Sequence, residues 1–223
     1  MPVERSWRPS LRPALWGSLL IALATVLGAW ITLARVNDPL TLDVHTVAEL
    51  AAEREPDMLM VSFAVDTIGG VWVSGVAICI IVATVLLVRR RPVAALYVVL
   101  AQIFSATAVQ LLKHLLGRDR PGQMIIESDY GSFPSGHVAN AATLATAAVV
   151  LLPRLWVALI GIGWVLLMAF TRVLLGAHWL TDTVGGAAVG VGSALLVAAV
   201  FAQSAEAEAE AQRSARAAPT PQW

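Results

Sequence analysis

A short segment between two long apolar runs, Gly131-Ser132-Phe133-Pro134-Ser135-Gly136-His137, combines a chain breaker, a helix N-cap candidate and a titratable ring. Pro134 ends one segment and Ser135 can cap the next helix, which would leave the backbone N–H groups of Gly136 and His137 unpaired at a helix N-terminus. Such a terminus favours negative charge, and a glycine lets the backbone approach a ligand closely. His137 adds a side chain that titrates near neutral pH. The pattern predicts an anion-binding site.

A second imidazole lies further along the chain, with a carboxylate four residues after it. On one helical turn Asp182 can accept a hydrogen bond from the ring N–H of His178 and leave the other ring nitrogen bare. A bare, oriented imidazole nitrogen is a nucleophile or a base. The alternative is that Asp182 only caps the helix that follows, beside Thr181. Gly176 indicates a bend that brings Arg172 and His178 to one place.

Three cations stand near the ends of apolar runs, where charge is costly and is usually retained for a reason. They are Lys113, Arg120 and Arg172. They supply more positive charge than a structural ion-pair network should need, and they suit a dianionic phosphate, which arginine grips in bidentate fashion. Of their neighbours, His114 is interpreted as a bystander, and Arg118 and Asp119 as a local ion pair.

The composition is that of an integral membrane protein. The chain has 223 residues, of which 58% are hydrophobic and 13% charged, and its mean hydropathy is +0.75. Its formal net charge of zero argues against a nucleic-acid partner. The single cysteine, Cys79, lies in an apolar run, so the chain can form no intramolecular disulfide, and a thiolate metal site is not expected.

Apolar runs predict an all-α, polytopic bundle of six transmembrane helices, each near the ~20 residues that a bilayer requires. The predicted spans are about 14–34, 68–88, 93–116, 136–152, 155–172 and 182–202. Within this 14–202 membrane domain, Gly186 and Gly190 have the spacing of a close helix-packing site. Residues 1–13 would be a cytoplasmic N-terminus, and 203–223 a cytoplasmic tail that begins as a fraying helix and ends in disorder.

The basic block Arg89-Arg90-Arg91 and the turn at Arg154 belong in the cytoplasm by the positive-inside rule. With both termini inside, the cations and imidazoles described above all fall at the outer face. Residues 36–57 would form an outer loop with a short helix opened by the capping-box pattern at 46–49, and 117–135 an outer active-site loop.

Residues 58–67 are interpreted as a membrane-surface or partly buried lead-in that precedes the second span. Within it, Asp66 is assigned to capping or pairing at the membrane interface, with a place in the polar cavity as the alternative.

The spacing of these residues resembles the three-part signature of the type-2 phosphatidic acid phosphatase family, the membrane lipid phosphate phosphatases. The matching parts are Lys113-(six residues)-Arg120-Pro121, Pro134-Ser135-Gly136-His137, and Arg172-(five residues)-His178-(three residues)-Asp182. The resemblance covers 113–182, about a third of the chain. One departure is Thr171, where the family usually has serine; a hydroxyl is retained.

The resemblance implies that His178 attacks phosphorus to give a phosphohistidine while Asp182 holds its ring. His137 would protonate the leaving oxygen and later activate the water that releases phosphate. The residues implied to hold the phosphoryl oxygens are Lys113, Arg120, Arg172, Ser135 and Gly136. No metal or other cofactor is implied, and the motifs are not surrounded by the carboxylate-rich cluster that Mg²⁺ prefers.

The expected activity is therefore hydrolysis of a lipid phosphate monoester or diphosphate at the outer face of a bacterial inner membrane. The lipid phosphate is the expected partner, and the oligomeric state is left open. Phosphatidic acid, phosphatidylglycerol phosphate and an undecaprenyl or other polyprenyl diphosphate all stay possible, because the motifs contact only the phosphate. Two other hypotheses are a vanadate-dependent haloperoxidase with a similar pocket and a non-catalytic membrane protein that binds anionic lipid.

Overall fold

The computed structural model describes residues 11–217, and every regular element in that range is a helix. The elements are α1 (Leu11–Ala29) with a π-helical continuation (Trp30–Ala34), α2 (Thr41–Ala52), α3 (Pro56–Gly69), a π-helical stretch (Val71–Ile78) that continues into α4 (Cys79–Val88), α5 (Pro92–Leu116), α6 (Gly136–Leu151), α7 (Leu155–Leu174) and α8 (Leu180–Ala217). The predicted all-α class is confirmed.

Four helical segments within the described range are long and apolar enough to cross a bilayer, namely Leu11–Ala34, Pro92–Leu116, Leu155–Leu174 and Leu180–Phe201. Helices α3 and α4 add a fifth span if the pair, bent by about 40°, is counted as one. Helix α6 is also apolar, but it has only 16 residues. The protein is an integral membrane protein, and the six-span count stays a prediction.

The segment before α4 is helical. Residues 58–67, expected to be a membrane-surface or partly buried lead-in, lie inside the regular helix α3, and their place relative to the membrane stays a prediction. This helix begins at Pro56, whose fixed φ suits the first turn and which has no N–H to leave unpaired there.

The short helix in the 36–57 loop is present as α2, but it begins at Thr41 rather than at the capping box. Thr46 lies in its middle and donates its hydroxyl hydrogen to the Leu42 carbonyl at 2.8 Å. Asp43 in the first turn is fully buried against α8, so tertiary contacts, not the local capping pattern, fix where this helix starts.

Small residues allow α8 to pack closely against its neighbours. Its apolar part contacts α1, α5 and α6, and one buried cluster joins all four helices through Ala24, Val109, Leu112, Ala139 and Val189. At Gly190 a side chain would overlap the backbone of α6 at Ala139. The predicted close-packing site therefore lies on the α6–α8 interface.

We expect Gly190→Ala to lower the thermal stability of the protein in detergent. The added methyl group would overlap the Ala139 carbonyl and lie 2.9 Å from the Ala142 Cβ, and overpacking of this kind costs about 1–3 kcal/mol. Gly163→Ala on α7 is the matched control, because nothing lies within 4 Å of its added Cβ. Thermal unfolding of both variants checks the expectation, and an equal shift in the two would contradict it.

Helix α8 continues past the predicted end of the last span. Residues 203–217 are helical, as their Ala/Glu-rich sequence favours. Glu208 on this extension accepts hydrogen bonds from the backbone N–H groups of Val93 at 3.0 Å and Ala94 at 3.4 Å, so it caps the N-terminus of α5. The rest of the predicted disordered tail, 218–223, and the predicted N-terminal segment up to residue 10 lie outside the described residues.

Candidate active site

Helix ends from four elements meet at one end of the bundle and surround a cavity of about 650 Å³. They are the C-terminal ends of α3, α5 and α7 and the N-terminus of α6, and the loop that precedes α8 completes the wall. Among the predicted site residues, the cavity is lined by Lys113, Gly136, His137, Arg172 and His178. Asp182, Ser135 and Arg120 lie just outside its wall and contact residues that line it or adjoin it. The structure thus brings both imidazoles and the three predicted cations to one place.

Towards the start of α4 and the middle of α5, the wall of the same cavity is mainly apolar, with Gln102 and Ser105 as polar members on α5. It is formed by Val76, Cys79 and Ile80 on one side and by Val99, Ile103 and Val109 on the other. A ligand in this cavity would therefore meet charged groups at one end and hydrocarbon at the other, as a lipid with an anionic head requires.

His178 lies in the loop between α7 and α8 and is 2% exposed. Its Nδ1 is 2.7 Å from the carbonyl oxygen of Ser132, and because a carbonyl only accepts, Nδ1 carries the hydrogen and Nε2 is bare. Burial, followed by the positive charges of Arg172 and Lys113, lowers the pKa of His178 well below its ordinary value. The ring is therefore neutral and has a free nitrogen, as a nucleophile needs.

The predicted hydrogen bond from His178 to Asp182 is not formed. The distance from Nδ1 to Asp182 Oδ2 is 3.5 Å, and the ring N–H donates to the Ser132 carbonyl instead. The carboxylate of Asp182 accepts from the Trp179 backbone N–H at 2.8 Å and from Arg118 Nη1 at 2.5 Å. Asp182 therefore lies beside the ring, but other groups hold it there.

Arg118 was expected to pair locally with Asp119, and this expectation is wrong. Its guanidinium lies between Asp182 and Asp43, with Nη2 at 2.8 Å from the Asp43 carboxylate. The side chains of all three are fully buried. Asp43 lies 75 positions before Arg118 on α2, and no spacing in the sequence links the two. The long separation explains why sequence reasoning missed this network.

Asp66 lines the cavity, which corrects its assignment to the membrane interface. It is placed by the last turns of α3, pairs with Arg172, and lies 3.2 Å from Nε2 of His137. A weak signal for this place is that Asp66 is the single charge in a long apolar run.

Asp129, which sequence reasoning did not single out, pairs with both of the other predicted cations. Its carboxylate lies 3.2 Å from Lys113 Nζ and 2.8 Å from Arg120 Nη2. Burial alone would raise the pKa of Asp129, but the positive charges of Lys113 and Arg120 outweigh it and hold the pKa below the ordinary value. Burial lowers the pKa of Arg120, against the opposing charge of Asp129. The cations are therefore not in excess of the local carboxylates, contrary to expectation.

Ser135 occupies the N-cap position of α6, as predicted, but its side chain makes no capping hydrogen bond. Its hydroxyl is buried and has no hydrogen-bond partner among the described residues, and its backbone N–H donates to the Asp182 carbonyl at 2.9 Å. The first turn of α6 still leaves N–H groups without intrahelical acceptors beside the cavity. Thr171, the departure from the family pattern, donates its hydroxyl hydrogen to the Met168 carbonyl at 3.0 Å, back along α7.

The curated relatives are membrane-lipid phosphatases by name. The chain is 35% identical over 122 residues to the lipid A 1-phosphatase of Rhizobium johnstonii, and the match covers 48% of each protein. It is 25% identical over 114 residues to the undecaprenyl-diphosphatase of Sulfolobus acidocaldarius, covering 48% of this chain and 54% of the relative. The chain spans about half the length of the curated relatives that it matches.

A solved structure shares the fold. The crystal structure of a transmembrane PAP2 type phosphatidylglycerolphosphate phosphatase from Bacillus subtilis superposes with a TM-score of 0.71 and covers 81% of this chain and 93% of that chain, at 24% sequence identity. Residues 94–206, about half of the chain, match the PAP2 superfamily. The family expected from the three motifs is confirmed, and the chain belongs to the PAP2 superfamily.

Proposed function

We propose that this protein hydrolyses a lipid phosphate monoester or diphosphate through a phosphohistidine intermediate and releases inorganic phosphate. The observation that carries the proposal is a single cavity lined by two imidazoles and by cations at one end and by apolar side chains at the other. The names of the relatives support the same reaction class.

In the first step Nε2 of His178 attacks phosphorus, and the bond from phosphorus to the leaving oxygen breaks. The leaving oxygen takes a proton from Nε2 of His137, which in the substrate-free site faces Asp66 at 3.2 Å. The backbone carbonyl of Ser132 accepts the hydrogen bond from Nδ1 of His178, so it fixes the ring with Nε2 as the attacking atom.

In the second step water attacks the phosphohistidine. His137, now neutral, takes a proton from the water, the bond from phosphorus to His178 breaks, and inorganic phosphate is formed. His137 is thereby protonated again, and His178 returns to its neutral form. No step requires a metal ion, and the expectation that none takes part stays a prediction.

Charge on the phosphoryl oxygens is stabilised by Arg172, Lys113 and Arg120, with backbone N–H groups at the start of α6 as further donors. These cations pair with Asp66 and Asp129. The phosphate must therefore compete with two carboxylates for its binding groups.

The same proposal includes six spans with both termini in the cytoplasm and the site at the outer face of the bacterial inner membrane. The bent pair α3–α4 and the short apolar helix α6 would supply the two spans beyond the four long ones. The basic block at Arg89–Arg91 and the turn at Arg154 lie at helix ends opposite to the cavity, which favours the cytoplasm for that end.

A panel of lipids tests the function and narrows the substrate. Purified protein in detergent is assayed for phosphate release from phosphatidic acid, phosphatidylglycerol phosphate, lipid A and undecaprenyl diphosphate. A preference for undecaprenyl diphosphate would select the alternative of a polyprenyl diphosphate phosphatase. Binding of these lipids with no phosphate release would contradict the enzymatic proposal and favour a non-catalytic lipid-binding protein.

We expect Asp129→Asn to lower KM for the lipid phosphate several-fold, by about 3- to 10-fold, because the carboxylate competes with phosphate for Lys113 and Arg120. Because its neighbouring cations hold the pKa of Asp129 below the ordinary value, the carboxylate stays ionised and the difference in KM should persist from weakly acidic to alkaline pH. Steady-state kinetics across this range measure the change.

Asp119→Asn is the matched control for Asp129→Asn, because it makes the same change at an exposed carboxylate of the same loop that neither lines the cavity nor pairs with Lys113 or Arg120. An unchanged or higher KM in Asp129→Asn would mean that the carboxylate helps to place the two cations for phosphate.

A further inference from the structure

We propose that Asp43, on α2 and outside all three motifs, is a positioning residue that sets the place of Asp182 and of the His178 ring by holding Arg118. The proposal rests on the function proposed above. It makes α2, a helix in the loop after the first span, part of the site.

The carboxylate of Asp43 connects Arg118 to the first turn of α8. Its Oδ2 accepts from Arg118 Nη2 at 2.8 Å and from the Thr181 hydroxyl at 2.7 Å, and its Oδ1 accepts from the Thr181 backbone N–H at 2.9 Å. Both carboxylate oxygens of Asp43 thus accept hydrogen bonds, and all three donors lie outside α2. These contacts fix Arg118 and the start of α8 relative to each other.

Arg118 in turn holds the two groups that face Nδ1 of His178, namely the Asp182 carboxylate and the backbone at Ser132. Its Nη1 donates to Asp182 Oδ1 at 2.5 Å, and its backbone carbonyl accepts from the Ser132 N–H at 2.8 Å. Ser132 in turn accepts the hydrogen bond from the His178 ring at 2.7 Å. A shift of Arg118 would therefore move the acceptor of the ring N–H and the neighbouring carboxylate together.

Burial makes this arrangement dependent on Asp43. The side chains of Asp43, Arg118 and Asp182 are all fully buried, so water cannot replace a lost partner. A contribution to folding stability alone does not explain such a network, because apolar side chains of similar size would often stabilise the same buried positions equally well. Without the charge of Asp43, the guanidinium would have Asp182 as its remaining carboxylate partner and would turn towards it, drawing Asp182 away from its present position.

The kinetic consequence is a fall in kcat with little change in KM. We expect Asp43→Asn to lower kcat by about 10- to 100-fold, the effect of displacing a reacting group by a fraction of an ångström to an ångström. KM should stay within about twofold, because the cations that bind phosphate are not part of this network. Glu49→Gln is the matched control, since Glu49 is an exposed carboxylate on the same helix.

A double-mutant cycle separates positioning from a general structural role. If Asp43 positions Asp182, the Asp43→Asn/Asp182→Asn variant loses less kcat than the product of the two single losses, because only the part transmitted through the Ser132 carbonyl remains. Multiplication of the two single losses would overturn the proposal. If Asp43→Asn does not fold, as judged by gel filtration and thermal unfolding in detergent, Thr181→Val replaces it in the cycle and should show the same pattern with a smaller loss.

Hydrogen exchange tests the contact between Asp43 and the Thr181 N–H without an activity assay. The peptide that covers residues 178–184 should take up deuterium faster in Asp43→Asn than in the wild type, because the Thr181 N–H loses its charged acceptor. Glu49→Gln should leave this uptake unchanged. Equal uptake in all three proteins would overturn the proposal. A wild-type protein that releases phosphate from no lipid would contradict the proposed function alone, and the exchange result would still decide whether Asp43 holds this segment.

Discussion

His178→Ala should abolish phosphate release, with a loss of at least about 10⁴-fold in kcat, while the protein stays folded. The side chain supplies the atom that bonds to phosphorus. Of the two imidazoles that line the cavity, only the His178 ring is oriented by a hydrogen bond to a backbone carbonyl. Alanine leaves water to attack directly, without the covalent intermediate. Phosphate release from the best lipid of the panel measures the loss, and thermal unfolding in detergent checks the fold.

His114→Ala is the matched control for this variant. His114 is exposed on α5 and does not line the cavity, so its removal should leave turnover unchanged. Trapping gives a second readout: radiolabelled phosphate from the substrate should stay bound to acid-sensitive, base-stable sites in the wild type and not in His178→Ala. Near-native turnover in His178→Ala would refute the phosphohistidine mechanism.

His137→Asn should lower kcat for a lipid phosphate by about 10²- to 10⁴-fold, the usual contribution of a general acid and base. The loss in the first step should nearly disappear with p-nitrophenyl phosphate, because nitrophenolate leaves without a proton. The second step would still lack its base. We therefore expect a burst of nitrophenolate close to one per active site in this variant, followed by slow turnover and accumulation of phosphoenzyme.

Rapid mixing of His137→Asn with p-nitrophenyl phosphate measures the burst, and the wild type is the reference. A lipid phosphate given to the same variant should produce no burst, since its alkoxide cannot leave unprotonated. If both substrates react equally slowly in the first turnover, His137 is not the acid of the first step. Its role would then be confined to binding the phosphate or activating water.

The sequence predicted the helices well where an apolar run ends at a charge or a proline. Helix α5 was expected at 93–116 and begins at Pro92; α7 was expected at 155–172 and ends at Leu174. The bent pair α3–α4 was predicted less well. Gly69 and Gly70 mark the end of α3, but the apolar run continues on both sides of them, so 58–67 was interpreted as a lead-in and not as part of a span. Local composition therefore located most helices, but not their bends.

The motifs also predicted which side chains would meet, because each lies at a helix end facing the same side of the bundle. What they did not predict is how those side chains are held. The acceptor for His178 is a backbone carbonyl of Ser132, and backbone atoms leave no trace in residue types. The partner of Arg118 is Asp43, which only the tertiary fold brings near. Contacts of these two kinds require the three-dimensional structure.

The pairing of charges at the cavity affects how a substrate reaches it. Four cations that line or adjoin it pair with four carboxylates, and Glu127 adds a fifth carboxylate to the lining. The cations are Lys113, Arg118, Arg120 and Arg172, and the paired acids are Asp43, Asp66, Asp129 and Asp182. With His178 neutral and His137 carrying the proton that it gives to the leaving oxygen, these charges nearly cancel, so this end of the bundle projects little long-range field, and electrostatic steering from bulk solution contributes little to association. A lipid would arrive by diffusion within the bilayer, and free phosphate, with no tail to retain it, would leave readily once formed.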